Sequence, residues 1–239
     1  MDLASTQGID LETPLVNHSR HETRGVKLAP KAVVGRVSLY LRQLETFQFQ
    51  GHSTISSSQL GAPLSIKNAQ VRKDLAFFGQ FGQPGVGYRI DDLISALRQA
   101  LGIDHDWPLA LVGLGNLGRA LLMYRGLPSR RFHIVALFDN DPRKIGQTHE
   151  GLKVEPIEGF RKAVAMRNIS LALLCVPADA AQRVADQMVS SGIRGILNFA
   201  PVPLVVPPTV NVVAVDLSIQ LENLAYKTQK GLDDVNCAG

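Results

Sequence analysis

Leu109-Ala110-Leu111-Val112-Gly113-Leu114-Gly115-Asn116-Leu117-Gly118, running on into Arg119-Ala120-Leu121-Leu122-Met123-Tyr124, decides the fold of this chain. A short apolar run ends in G-x-G-x-x-G and passes directly into a segment of helical composition. That strand-turn-helix setting makes an otherwise weak motif point to a dinucleotide. Gly113 permits the tight turn, Gly115 lets the backbone meet a pyrophosphate, and Gly118 allows close packing of helix on strand. The phosphates then rest on unpaired amides at the positive end of the helix, so Leu114, Asn116 and Leu117 belong to the same candidate loop. The next strand, Phe132 to Phe138, ends in Asp139-Asn140-Asp141. Asp139 stands where an adenosine ribose needs an acceptor, and a carboxylate there repels a 2′-phosphate. This favours NAD over NADP, with Arg143 and Lys144 nearby as the opposing charges.

Further strands extend the same doubly wound plan. Ile169 to Val176 ends at Pro177 and is followed by a helix from about Ala178 to Ser190. Gly195 to Asn198 runs into Phe199-Ala200-Pro201, and Val210 to Val215 ends at Asp216. Ligands of open parallel sheets bind beyond the carboxyl ends of the strands. That rule places Val176, Pro177, Asn198, Phe199 and Ala200 near the nicotinamide half. The last amphipathic segment carries Leu217, Leu221, Leu224 and Ala225, with no remaining domain to pack on. It is a candidate dimer element, or else an edge helix of its own subunit.

The chain has 239 residues, 45% hydrophobic and 19% charged, which suits one large or two small domains and argues against a disordered or fibrous chain. Its longest apolar stretch, about Leu171 to Ala178, is far short of the ~18 residues a membrane span needs. The N-terminus has acids where a signal peptide has bases, and the expected location is the cytoplasm. Two cysteines make neither a disulfide framework nor a zinc cluster, and the six histidines show no metal-ligand spacing. Charge is unevenly spread: residues 1–19 carry −3, residues 20–90 carry +7, and residues 91–239 are neutral. The basic part has an anionic partner as its first candidate, with a merely solvated basic face as the alternative.

Residues 1–25 lack a hydrophobic period and read as a disordered tail ahead of the basic unit. Val33, Val37, Tyr40, Leu41 and Leu44 then recur at helical steps to about Gln48. Ser56 and Gln59 have capping-box spacing for a short helix. Gly61-Ala62-Pro63 breaks it, and Ser65 is placed to cap another helix from Ile66 to about Phe78. Gly82-Gln83-Pro84-Gly85-Val86-Gly87-Tyr88 reads as a tight hairpin, and a helix from Ile90 to Leu101 closes the unit. This is the element order of a winged helix-turn-helix. On its second helix Val71, Leu75 and Phe78 share one face, and Lys73 points away from it with Ala69 beside it and Gln70 and Arg72 flanking. A small residue among long donors lets a helix approach base edges, where Gln and Arg can bond adenine and guanine bidentately. An ordinary amphipathic surface helix has the same period.

The expected class is therefore α/β: a winged helix-turn-helix domain over 26–103 and a Rossmann-type domain over 104–216, followed by a helix and tail over 217–239. No serine, cysteine or histidine setting for nucleophilic catalysis appears, and too few residues follow the nucleotide unit to build a substrate domain. Cofactor binding without chemistry is the simpler reading. The alternatives are a small NAD-dependent dehydrogenase, or a CoA- or metabolite-binding Rossmann protein, whose basic unit serves oligomerisation.

With these segments in place, the sequence resembles the Rex family of redox-sensing transcriptional repressors over about residues 27–228. Gln70-Val71-Arg72-Lys73-Asp74-Leu75, Phe78-Gly79 and Gly85-Val86-Gly87-Tyr88 are similar to the family's recognition helix and wing. Val112 to Gly118 matches its nucleotide loop, and Gly195 to Pro201 its late strand. The resemblance implies a cytoplasmic homodimer on a palindromic operator that senses NADH against NAD⁺ and leaves DNA when NADH rises. It implies DNA contact by Ser65, Lys67, Asn68, Gln70, Arg72, Lys73 and Tyr88, and exchange of the C-terminal helix between subunits. It also aligns Arg42, Tyr124 and Asp216 with an interdomain relay. Where many relatives carry a basic residue before Gly-Val-Gly-Tyr, this chain has Pro84.

Overall fold

A computed structural model describes residues 29–82 and 85–236, with side chains followed to residue 229. The expected tail over 1–25, Pro84 and Cys237 lie outside the described residues. Apolar periodicity divides the rest into two units, the first with one core and the second with a core on each face of its sheet. In the first unit α1 (Lys31–Phe49) turns Val37, Tyr40, Leu41 and Leu44 inward at helical spacing. β1 (Thr54–Ile55) leads into α2 (Ser57–Gly61), whose start carries the expected capping box: the Gln59 amide donates to Ser56 Oγ at 3.2 Å, and the Ser56 amide to Gln59 Oε1 at 2.9 Å. α3 (Asn68–Ala76) seats Val71 and Leu75 on α1, and α4 (Ile90–Ala100) closes the core with Ile90, Leu93, Ile94 and Leu97.

Two sequence expectations change here. Ser65 does not cap a helix. It sits at φ 54° and ends the 3-10 turn Ala62–Leu64, so α3 begins only at Asn68 and has no side-chain cap. The turn needs a left-handed residue to reverse the chain, and that requirement takes Ser65 out of the helix. The described end of the glycine-rich stretch pairs outside it. β2 (Tyr88–Arg89) pairs antiparallel with β1, Ile55 opposite Tyr88, so the hairpin expected within 82–88 is anchored some thirty positions upstream. A methyl group on Gly87, at φ 89°, would run into the Ile55 carbonyl at 2.5 Å, which is why a glycine carries the chain past β1.

In the second unit, β3 (Trp107–Val112) alternates: Ala110 and Val112 face one side, Leu109 and Leu111 the other, as a strand buried on both faces requires. Among the described residues the sheet has seven strands in the order β5-β6-β4-β3-β7-β8-β9. They are β4 (Phe132–Asp139), β5 (Thr148–His149), β6 (Leu152–Pro156), β7 (Leu171–Leu174), β8 (Gly195–Asn198) and β9 (Asn211–Ala214), parallel except for the β5–β6 pair. α5 (Asn116–Met123), α6 (Phe160–Met166) and α7 (Ala178–Ser190) connect them; Phe160, Ala163, Val164, Ala181, Val184, Ala185 and Met188 cover one face. β5, β6 and α6 have no counterpart in the sequence reading, which left 142–168 unassigned. The chain leaves β3 toward β4 on one side and returns to β7 on the other, so the switch point that attracts ligands lies above β3. α8 (Leu217–Asn236) carries Leu217, Leu221 and Leu224 exposed by 60% or more.

Candidate functional site

Above the carboxyl ends of β3, β4, β7 and β8 opens a cleft of about 730 Å³. Its floor is the glycine loop, and each glycine has a distinct physical reason. Gly113, at φ 97°, runs so close beneath the Cys175 carbonyl that a Cβ has no room. A Cβ on Gly118 would collide with the Gly113 carbonyl, which fixes α5 against the loop. A Cβ on Gly115 meets no atom within 4 Å. Gly115 precedes the first residue of α5 and lines the cleft, so its bare backbone presents the helix start to whatever lies there. The donors, the volume and the open backbone fit a dinucleotide.

Asp139 ends β4 and is 6% exposed. It accepts from the Leu114 amide at 2.7 Å, the Asp141 amide at 2.9 Å and Lys144 Nζ at 2.9 Å. Burial would raise its carboxyl, but these donors overcome burial and hold it below the usual carboxylate range. Three of about four acceptor positions are thus spent on holding the loop, which leaves about one for a ribose hydroxyl. The sequence reading named the ribose role and missed this second one.

Gly113, Gly115, Asn116, Leu117, Val176, Pro177 and Phe199 also line the cleft. Leu114 and Gly118 do not; they are buried and shape the loop from beneath. Asn198 and Ala200 are corrections as well. Asn198 is 1% exposed, donates to the Val202 carbonyl at 2.8 Å and accepts from the Ala200 amide at 2.9 Å, so it staples the loop that presents Phe199. Cleft residues the sequence reading missed include Cys175, Asp179, Arg183 and Gln187. The last three stand at i, i+4 and i+8 on α7, a polar stripe beside its buried one, and that spacing was the available signal. Burial pushes the Cys175 thiol up to about 12.

On the first unit, Asn68, Ala69, Arg72 and Lys73 are exposed along α3, with Ser65 and Lys67 just ahead of it. Two members of the expected DNA-facing set behave otherwise. Tyr88 is 8% exposed and packs in the core with Ile55, and burial raises its phenol. Gln70 is half-buried, its Nε2 donating to Asp74 Oδ1 at 2.7 Å. Asp74 itself is 1% exposed and accepts from Arg36 Nε at 2.6 Å, Arg36 Nη2 at 2.8 Å and the Tyr40 hydroxyl at 2.8 Å. Burial opposes its charge, yet Arg36, Tyr40 and Gln70 together keep the carboxyl below its usual range. The ion pair clamps α3 to α1.

Arg42 and Tyr124 meet on one groove of about 520 Å³ between α1 and the segment after α5. The Tyr124 ring lies over Gly126, where any side chain would displace it. Asp216 is elsewhere: its Oδ1 accepts from the Ser218 amide at 2.8 Å and starts α8. Within one chain it touches neither partner of the expected relay. Among the described residues no group of three or more His, Cys, Asp or Glu could hold a metal ion, and no helix is long and apolar enough to cross a membrane.

Comparison with known proteins agrees with both halves. Residues 29–76 match the family described as "Putative DNA-binding protein N-terminus", and residues 104–202 the family described as "CoA binding domain". A redox-sensing transcriptional repressor Rex from Desulfitobacterium hafniense is 44% identical over 82% of this chain and 94% of its own length. The crystal structure of RSP with β-NAD⁺ and operator DNA superposes with a TM-score of 0.82 at 33% identity, covering 89% of this chain and 98% of that one. RSP with β-NADH superposes with a TM-score of 0.77 at 32% identity, covering 85% and 96%.

Proposed function

The chain belongs to the Rex family of redox-sensing transcriptional repressors, and from that premise we propose how its own residues do the work. It is a repressor, not an enzyme, that binds operator DNA and is released when NADH rises relative to NAD⁺. The observation that carries the residue assignment is the presence, in one chain, of the exposed basic face of α3 and the glycine-floored cleft above β3. In this reading residues 26–103 form the DNA-binding domain, 104–216 the nucleotide domain, and 217–239 a dimerising helix and tail.

Arg72 and Lys73 reach base edges or adjacent phosphates, while Ser65, Lys67 and Asn68 hold the sugar-phosphate backbone near the helix start. Gln70 helps to aim α3 through Asp74. The cleft takes NAD(H) with its pyrophosphate over Gly115 and the amides of Asn116 and Leu117, its ribose at Asp139, and its nicotinamide between Val176, Pro177 and Phe199. When bound, the dinucleotide supplies one difference only: its ring is cationic when oxidised and neutral when reduced. Apolar walls favour the neutral ring, because burying an unpaired charge is costly. The exposed leucines of α8 find their cover in a second subunit, giving a homodimer on a palindromic operator in the cytoplasm. That exchange carries Asp216 of one subunit toward Arg42 in the operator-binding state and toward Tyr124 when NADH is bound.

A gel shift on a palindromic operator tests the reading. The purified protein is retained on heparin and shifts the operator with NAD⁺ present, and rising NADH releases it. An operator complex insensitive to NADH refutes it.

A further inference from the structure

Glu45 of α1 is the meeting point of both units. Its Oε1 accepts from Arg98 Nη2 of α4 at 3.0 Å, and its Oε2 from Arg130 Nη1 of the second unit at 2.6 Å. Among the described residues this is the one ion pair that joins the first unit to the second. Its side chains are 28% and 24% exposed, so the pair is partly withdrawn from water and screened less than a surface pair. It stands one turn along α1 from Arg42, on the groove that also holds Tyr124.

α1 links that pair to DNA. Nine positions before Glu45, about 14 Å along the helix, Arg36 holds the Asp74 carboxylate of α3, one residue from Lys73. A shift of the second unit against α1 therefore reaches the recognition helix through a rigid rod gripped at both ends. The arrangement containing the pair superposes over 89% of this chain on the relative alone and on its operator complex, at TM-scores of 0.81 and 0.82, and over 85% on its NADH complex, at 0.77.

We propose that Arg130 is a positioning residue for the redox response: its pair with Glu45 holds the DNA unit in the operator-binding orientation and opens when NADH is bound. Resting on the repressor reading, this adds a contact to it that neither the cleft nor the α3 surface contains. The geometry is suited to such a contact, since Arg98 keeps Glu45 partnered when Arg130 departs. The DNA unit loses its tie and not its fold.

Linkage supplies the test. An interaction present in only one of two states must change the affinities of ligands specific to each in opposite directions. Removing the charge in Arg130→Gln is expected to weaken operator binding with NAD⁺ by about five-fold and to tighten NADH binding, measured without DNA, by a comparable factor. Arg130→Lys restores both toward the parent. Glu45→Gln, cutting the pair from the other side, shifts both as Arg130→Gln does. A general loss of structure weakens both ligands, so joint weakening, an unchanged pair of affinities, or shifts of the opposite sign each overturn the proposal. The parent protein is the control for the reading beneath it: if NADH does not release the parent from operator, the redox reading fails, whatever the variants do. If the parent responds and Arg130→Gln responds identically, only the latch fails.

Discussion

Replacing Asp74 by alanine removes the acceptor of four hydrogen bonds at once, and the structure allows the cost to be worked out. The Tyr40 hydroxyl, on a side chain with no exposed surface, loses its partner in the core; an unsatisfied buried donor costs about 1–3 kcal/mol. Arg36 keeps its charge but is 29% exposed, so water recovers part of the about 3–5 kcal/mol that breaking a fully buried pair costs. Gln70 is only half-buried and contributes little. The sum is about 3 kcal/mol, which for a unit of this size lowers its melting midpoint by about 12 °C or more. Circular dichroism melts of parent and variant measure it, and Tyr40→Phe, which deletes one bond, is expected to cost about 1 kcal/mol. The effect also has a pH signature. Asp74 in the folded protein titrates below its unfolded value of about 3.9, so the unfolded chain binds more protons over that interval. The carboxylate's contribution is full above about pH 4 and is lost as pH falls through the folded value, so the gap between parent and Asp74→Ala closes in acid. Midpoints within 2 °C of each other at pH 7 refute the claim that this cluster clamps α3.

Three further outcomes follow from the site. Lys73→Ala and Arg72→Ala are each expected to weaken operator binding about tenfold or more while NADH binding stays unchanged; equal loss on unrelated DNA makes the contact one to phosphates. Gly115→Val, at a position where a Cβ meets no neighbour and φ is −74°, is expected to fold normally, lose NADH in calorimetry, and stay on operator when NADH is added. Asp216→Ala loses a helix start worth about 1 kcal/mol of stability, read as a lower melting midpoint. If Asp216 also serves the relay, operator release is blunted although NADH still binds, and a normal release curve removes it from the switch.

The glycine loop was legible because each glycine there answers a local demand of turn, approach or packing, and local demands are written in adjacent residues. The capping box at Ser56 was legible for the same reason. Ser65 was misread because serine before a helix and serine ending a 3-10 turn look alike until the turn is built. Tyr88, Gln70 and Asn198 were assigned outward roles because a polar group in a functional motif resembles a contact. Whether it instead satisfies a buried partner depends on residues far away in sequence, such as Ile55 for Tyr88. The Glu45–Arg130 pair spans 85 positions and has no local signature at all. Segment 142–168 went unassigned because its strands and helix are short and its period is interrupted by turns.

Cys175 gives the protein's redox character its final definition. Burial pushes this thiol up to about 12, so it stays protonated at pH 7, whereas the thiolate is the form that reacts with peroxides and disulfides. The sulfur lining the cleft is therefore held as the less reactive thiol. In the proposed reading the protein senses reducing power through the charge on a molecule it borrows, and the Cys175 thiol keeps no covalent record of it. In that reading, exchange of the bound dinucleotide returns the repressor to its starting state without any chemistry at this sulfur.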